Sequence, residues 1–221
     1  LAEAHVAYRP TPLLSSMMTG SIEKAADVTK GGARYNTSGT SNIGLADIID
    51  SMMSIKQLVF DEKAVTFTKL KSAIDTNFEN DSSLHATIMN KVPKFGSGDP
   101  TVIDMANRIT HMVHDIHHSQ TNYRGGKYTT GFWSMSQHVA YGSLSGALPS
   151  GRLYGKAFTP GLTPHPAASK SFLDNIRDVA QLDPECMDNN IAFNVKLNLS
   201  SEDTREKSVD IMAAYVNTYV D

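Results

Sequence analysis

Tyr123-Arg124-Gly125-Gly126-Lys127-Tyr128-Thr129-Thr130-Gly131-Phe132-Trp133-Ser134-Met135-Ser136 is the stretch on which the fold turns. A glycine pair opens it. From Lys127 to Ser136 it is rich in Tyr, Thr, Phe and Trp, residue types that suit a pleated, half-buried surface, and it is predicted as a strand. Side chains alternate across a strand, so Tyr128, Thr130, Phe132 and Ser134 share one face, and Thr129, Gly131, Trp133 and Met135 share the other. The first set mixes hydroxyls with an aromatic ring. That suits a small polar organic ligand, and it suits a half-buried wall nearly as well.

Upstream the period changes from two to three and four. Val102, Met105, Ala106, Ile109, Met112, Val113 and Ile116 trace the clearest helix in the chain. Before it come a loop over Pro93–Pro100, a short helix from Ser83 to Asn90 and another from Thr66 to Phe78. Leu45, Ile48, Ile49, Met52, Met53, Lys56 and Val59 mark an earlier helix, with Ser41 or Asn42 as N-cap. Ala33-Arg34-Tyr35-Asn36 reads as a strand and Thr37–Asn42 as a polar loop. Downstream, Gly142 to Pro166 is dense in Gly and Pro and is predicted as irregular. Ser169 is read as the cap of a helix ending at Ala180. Ile191, Phe193, Val195, Leu197 and Leu199 alternate with polar residues as a strand, and Asp203 with Glu206 form a capping box for the last helix. Strands mixed with helices predict an α/β layer or barrel.

Composition is that of an ordinary globular chain: 221 residues, 40% hydrophobic, 19% charged, net charge −3. The charge balance, without a basic block, gives no support for nucleic-acid binding, and no apolar run approaches the ~20 residues a membrane span needs. A single cysteine, Cys186, points to a reducing compartment, so the cytoplasm is expected. The start at Leu1 and the stop at Asp221 inside a helical pattern are read as the ends of a piece of a longer protein.

Local chemistry is sparse. His111, His114, His117 and His118 crowd one helix, and His114 and His118 stand four apart, a metal-holding spacing. No Glu-bearing zinc motif accompanies them, so they are read as a solvated polar face and no metal is expected. Cys186 is flanked by carboxylates that raise its pKa rather than activate it. Arg124-Gly125-Gly126 lacks the order of a dinucleotide loop, and for Gly151-Arg152 a tight turn is a simpler reading than a phosphate site.

Several stretches in order, over roughly residues 30 to 200, resemble the later part of the catalytic barrel of the glycyl radical enzymes, the pyruvate formate-lyase-like family. They are Gly31–Asn36 with Gly44–Ser51 and Ile55–Phe60; Asn77-Phe78-Glu79 with Val92-Pro93-Lys94-Phe95-Gly96; and Tyr123–Tyr128 through Gly146-Ala147-Leu148-Pro149-Ser150-Gly151-Arg152 to Gly155–Phe158. Ser97-Gly98-Asp99-Pro100 and Leu148-Pro149-Ser150-Gly151-Arg152 depart from the family's usual wording. These departures favour the dehydratase-like and lyase-like branches, with Phe158–Pro166 most like the isethionate sulfite-lyase type. The resemblance implies that residues 1–221 are part of one catalytic domain, the C-terminal part of a ten-stranded α/β barrel. It implies a lyase of anaerobic metabolism that cleaves a C–S, C–O or C–N bond of a small hydroxylated substrate by hydrogen abstraction. A C–C acyltransferase or a non-catalytic binding module is the alternative, and an unrelated α/β enzyme with a metal on the histidine helix is a third reading.

The resemblance also implies a glycyl radical installed after translation, with no bound cofactor, a radical SAM activating enzyme as partner and a homodimer. The family's Gly-Cys-x-Glu and Arg-Val-x-Gly-Tyr loops do not occur in these residues, so the chain contains no catalytic residue and is expected to be inactive alone. Substrate contact is expected from Tyr128, Thr130, Phe132 and Ser134, with Arg124 at the strand entry.

Overall fold

The computed structural model describes residues 1–169, 171–196 and 204–220. Their elements run α1 (Ala2–Tyr8), α2 (Pro12–Met17), β1 (Ser38–Asn42), α3 (Leu45–Ile55), α4 (Phe67–Asp75), α5 (Ser82–Lys91), α6 (Pro100–His118), β2 (Tyr128–Phe132), α7 (Gln137–Ser143), α8 (Phe172–Ala180) and α9 (Arg205–Val220). The class is α/β. β1 and β2 pair in parallel, Ser38 opposite Tyr128 through Asn42 opposite Phe132, with α3–α6 as the crossover between them.

The middle helices form where the apolar period and the caps agree. Thr66, Asp81 and Asp99 each accept a backbone N–H of the first turn, opening α4, α5 and α6. Pro100 follows Asp99 at the first helical position, where its missing N–H leaves no bond unmade. α3 opens differently from the expectation of Ser41 or Asn42. Its N-cap is Gly44, at φ +81°, a left-handed conformation that glycine adopts without strain. Beyond Ile55, the helix continues as a wider π turn over Lys56–Asp61.

Several expectations are corrected. The early strand is Ser38–Asn42, inside the predicted polar loop, and not Ala33–Asn36. Its side chains add to the ladder: Thr40 Oγ1 donates to the Thr129 carbonyl (2.8 Å) and Asn42 Nδ2 to that of Gly131 (2.9 Å). The predicted strand Lys127–Ser136 ends at Phe132, and α7 covers Gln137–Ser143 ahead of the irregular stretch. The cap of α8 is Ser171, whose hydroxyl accepts from Asp174 N, while Ser169 donates to the Asp174 carboxylate. Of the strand expected from Ile191 to Leu199, the described residues make only a parallel bridge from Ile191 to Phe132; Leu197 and Leu199 lie outside them. Asp203 of the capping box also lies outside them, and Thr204 Oγ1 accepts from Lys207 N instead.

The core sits between α3, α4, α5, α6 and β2. Leu45, Ile49, Leu58, Leu70, Ile88, Phe95, Val102, Ala106 and Phe132 are buried in it. Each large apolar side chain so buried contributes about 1.5–3 kcal/mol. Ile48 and Met52 of the predicted stripe are exposed instead, and Asp47, Asp50, Ser51 and Ser54 of α3 are buried. Those polar groups bind loops. Asp47 Oδ2 accepts from Thr159 N (2.6 Å) and Oγ1 (2.7 Å), and Asp50 Oδ1 from Phe95 N (2.8 Å). Lys94 Nζ donates to the Ser150 carbonyl (3.0 Å) and Ser150 N to Ser51 Oγ (3.2 Å). Burial pushes the Asp50 carboxyl up to about 7, against the opposing pull of Lys94 and of the Phe95 N–H.

Candidate active site

The residues that bear on a site fall into two groups. Pro93–Gly96 and Gly146–Phe158 are scaffold. Arg152 is buried and spends its guanidinium on the carbonyls of Gly146, Leu153 and Gly142, 4.2 Å above the Phe158 ring. Gly151 turns the chain at φ +88°, against Met89 and Ile88, where a Cβ would clash with the Met89 sulfur at 2.6 Å. The turn reading of Gly151-Arg152 therefore fits its contacts. Around Arg124-Gly125-Gly126, Asn122 Oδ1 accepts from Arg124 N (2.9 Å) and Gly126 N (3.0 Å), closing a turn into β2.

The second group is the sheet. A third stretch runs beside β2: Asn189 N donates to the Thr130 carbonyl (3.1 Å), Phe132 N to that of Asn190 (2.9 Å) and Ala192 N to that of Phe132 (3.0 Å). One face of this unit packs on α6. Thr130 is fully buried, and its hydroxyl lies 2.9 Å from His117 Nδ1; Thr40 Oγ1 lies 3.0 Å from the same nitrogen. Burial in this contact, helped by neighbouring His118 and His114, lowers the His117 pKa. Phe132 continues the same face into the core.

The opposite face carries Gly39, Ser41, Thr129, Gly131 and Trp133, by alternation along β1 and β2. It is kept low. A Cβ on Gly39 would lie 1.9 Å from Asn189 Nδ2, and one on Gly131 2.6 Å from the Asn190 carbonyl. Ser41 Oγ donates to the Trp133 carbonyl, and the half-buried indole leaves its Nε1–H buried without a partner among the described residues. A buried donor in that state is costly unless something accepts from it.

The five residues expected to meet substrate are therefore divided. Arg124 and Tyr128 come together at the strand entry, lining a cavity of about 340 Å³ with Ser38 and Asn122. Arg124 Nη2 is held there by the Thr37 carbonyl (2.8 Å) and Ser38 Oγ (3.1 Å). Thr130 and Phe132 turn to the helix layer, and Ser134 Oγ lies 3.0 Å from His138 Nδ1. Trp133 was missed: from sequence it reads as core, and only the pairing of its neighbours shows an indole N–H left over.

Of the α6 histidines, His111 is exposed, as expected of a solvated face, while His114, His117 and His118 are half-buried. His111 Nε2 lies 3.1 Å from Asp183 Oδ2, and its Nδ1 lies 3.2 Å from Cys186 Sγ; His118 Nε2 lies 2.7 Å from Asp188 Oδ2. Burial, then Asp183, Asp115, Glu185 and Asp188, push the Cys186 thiol up, so it stays protonated and a poor nucleophile.

These features are those of one class of protein. The structure superposes on the glycerol-bound form of the B12-independent glycerol dehydratase from Clostridium butyricum with a TM-score of 0.89 at 30% identity, over 99% of this chain and 28% of that one. By sequence it is 34% identical to the trans-4-hydroxy-L-proline dehydratase of Clostridioides difficile over 161 residues, 71% of this chain and 20% of that protein. It is 30% identical to the isethionate sulfite-lyase of Desulfovibrio desulfuricans over 128 residues, 54% of this chain and 14% of that protein. The chain thus spans between about a seventh and somewhat over a quarter of the relatives it matches. The model of the family described as pyruvate formate lyase-like matches residues 1–142, and the chain belongs to that family. Among the described residues, no helix is long and apolar enough to cross a membrane.

Proposed function

We propose that this chain forms part of the reaction-chamber wall in a glycyl radical lyase that removes a group from a small hydroxylated substrate. Water is the leaving group in first place, by C–O cleavage; sulfite or an amine is the alternative within the same class. The observation that carries this reading is the match of nearly the whole chain to a dehydratase solved with glycerol bound. The preference for C–O over C–S cleavage follows the longer and higher-identity match to a dehydratase than to the sulfite-lyase.

In this reading the sheet face away from α6 looks into the chamber of a ten-stranded barrel. The glycyl radical, when installed, supplies hydrogen-atom abstraction from a substrate carbon. The chain's own part is binding and shielding. Gly39 and Gly131 let Asn189 and the Asn190 carbonyl close tightly over the sheet. Trp133 Nε1 offers a donor to a substrate oxygen. Thr130, Phe132 and Ser134 back the wall from behind, and Arg124 and Tyr128 stand at its entry. A dry wall protects a radical from side reactions. A radical SAM activating enzyme, a homodimeric assembly and a cytoplasmic setting belong to the same reading.

The test is anaerobic activation of the intact protein with such an activase, reading the radical by electron paramagnetic resonance and the products from glycerol, trans-4-hydroxy-L-proline and isethionate. Radical formation with loss of water from a hydroxylated substrate is expected. A radical that forms without elimination from any of the three would overturn the substrate class. Trp133→Phe should lower turnover about tenfold with the radical yield kept, and Phe132→Ala should lower turnover more than radical yield; equal loss of both would remove the wall from the chamber.

A further inference from the structure

The histidine helix meets the stretch 183–188 along a seam on the α6 side of β2, away from the face proposed for substrate. Two groups of metal-type donors lie on it: His111 with Asp183 and Cys186, and His114 with His118 and Asp188. Among the described residues, the ion-pair partner of Asp183 is His111 and that of Asp188 is His118, with no lysine or arginine on either carboxylate.

We propose that His114, His118 and Asp188 bind one divalent transition-metal ion of the zinc class. The two histidines are one helical turn apart, the spacing at which two imidazoles of one helix face reach a common ion. Their rings lie side by side, 3.9 Å between centroids, and one ligand atom from each of the three residues falls within 4.8 Å of the others. His114 Nδ1 is buried without a partner among the described residues, so one nitrogen of the group has no bond to lose to them. Asp188 is also prepared. Its Oδ1 accepts from Thr130 N at 2.7 Å, which orients the carboxylate and leaves Oδ2 turned to His118.

The change needed is small. Zinc holds nitrogen and oxygen ligands at about 2.0–2.2 Å, which puts tetrahedral ligand atoms about 3.3 Å apart. The His118–Asp188 contact therefore has to open from 2.7 Å by about half an ångström, with the His114 ring turning out of the stack. Two nitrogens and a carboxylate leave a fourth position for water, and a carboxylate with imidazoles selects zinc over magnesium or calcium. Bound there, the ion ties α6 to the stretch that runs beside β2.

The test uses the intact protein, stripped with a chelator and titrated with Zn²⁺ in a calorimeter, then loaded with Co²⁺ for its absorption spectrum. One equivalent should bind, and that equivalent should weaken about 100-fold in the double variant His114→Ala/His118→Ala and in Asp188→Asn. The asparagine keeps an oxygen for Thr130 N–H, so loss of binding with unchanged amide protection in β2 separates ligation from folding. The cobalt spectrum should show tetrahedral bands without a thiolate charge-transfer band. Zinc uptake that is absent, or unchanged in both variants, would overturn the site. So would a charge-transfer band lost in Cys186→Ser, which would place the ion on His111, Asp183 and Cys186 instead.

Discussion

Carboxylates are used in two opposite ways in this molecule. In the interior, Asp47, Asp50 and Asp178 are buried and accept backbone N–H groups from loops: Thr159, Phe95, and Gly96 with Gly98. Along the seam, Asp183 and Asp188 remain partly exposed and face imidazoles. The interior set holds loops that contain no regular structure of their own, where no ladder satisfies the backbone. The seam set keeps an oxygen turned to a titratable or ligating ring. Position relative to the core, rather than residue type, decides whether an aspartate is a strut or a ligand.

That contrast can be broken most sharply at Asp50. An unfolded Asp releases its proton near 3.9, while the folded carboxyl holds it to about 7. Between those values the native state binds more protons, so stability falls as the pH rises through that window. Asp50→Asn keeps an acceptor for Phe95 N and removes the proton. Urea unfolding at about pH 4 and about pH 8 should show the fall diminished in the variant by an amount on the order of 4 kcal/mol, set by about 1.36 kcal/mol per pKa unit. An identical slope in both proteins would mean that Asp50 is ionised throughout.

Asp178→Ala should come next, at about 3 kcal/mol, because the buried Gly96 amide and the more exposed Gly98 amide lose a shared acceptor. Amide exchange at Gly96 and Gly98 should speed up selectively, and Asp178→Asn should recover most of the loss. At the helix boundary, Asp99→Ala removes the acceptor of Thr101 N and should cost about 1 kcal/mol, read as faster exchange in the first turn of α6. The exposed i,i+4 pair Lys71–Asp75 marks the low end. Lys71→Ala should change stability by less than about 0.5 kcal/mol and lose even that in high salt. A larger effect there than at Asp178 would undo the ranking.

The sequence made the helical half of the fold legible. In α4, α5 and α6 the apolar period and the cap at Thr66, Asp81 or Asp99 act within one turn of each other, so local pattern suffices. β1 was hidden for the opposite reason. Ser-Gly-Thr-Ser-Asn has no strand composition of its own, and what makes it a strand is a partner far along the chain. Ile191 and Val195 misled in the other direction: they alternate as a buried strand would, yet both are exposed, and only 189–192 pairs with β2. At the site, alternation along β2 puts Thr130 and Phe132 on one face, and Ser134 lies beyond the end of the strand. Alternation carries no information on which face a helix covers, because both faces mix polar and apolar residues. That α6 histidines pair with Asp183, Cys186 and Asp188 rests on a contact between segments about 70 residues apart, beyond any local pattern.

The parallel register has a further consequence, for the time before the fold exists. β1 leaves the ribosome about 90 residues ahead of the strand it pairs with. At about 5–20 residues per second, that is a wait of roughly 5–20 s with its backbone unpaired. An apolar strand in that position would invite pairing with a neighbouring nascent chain. Hydroxyls, an amide and a glycine stay soluble through the delay, so the weak strand composition of Ser38–Asn42 serves as protection during synthesis.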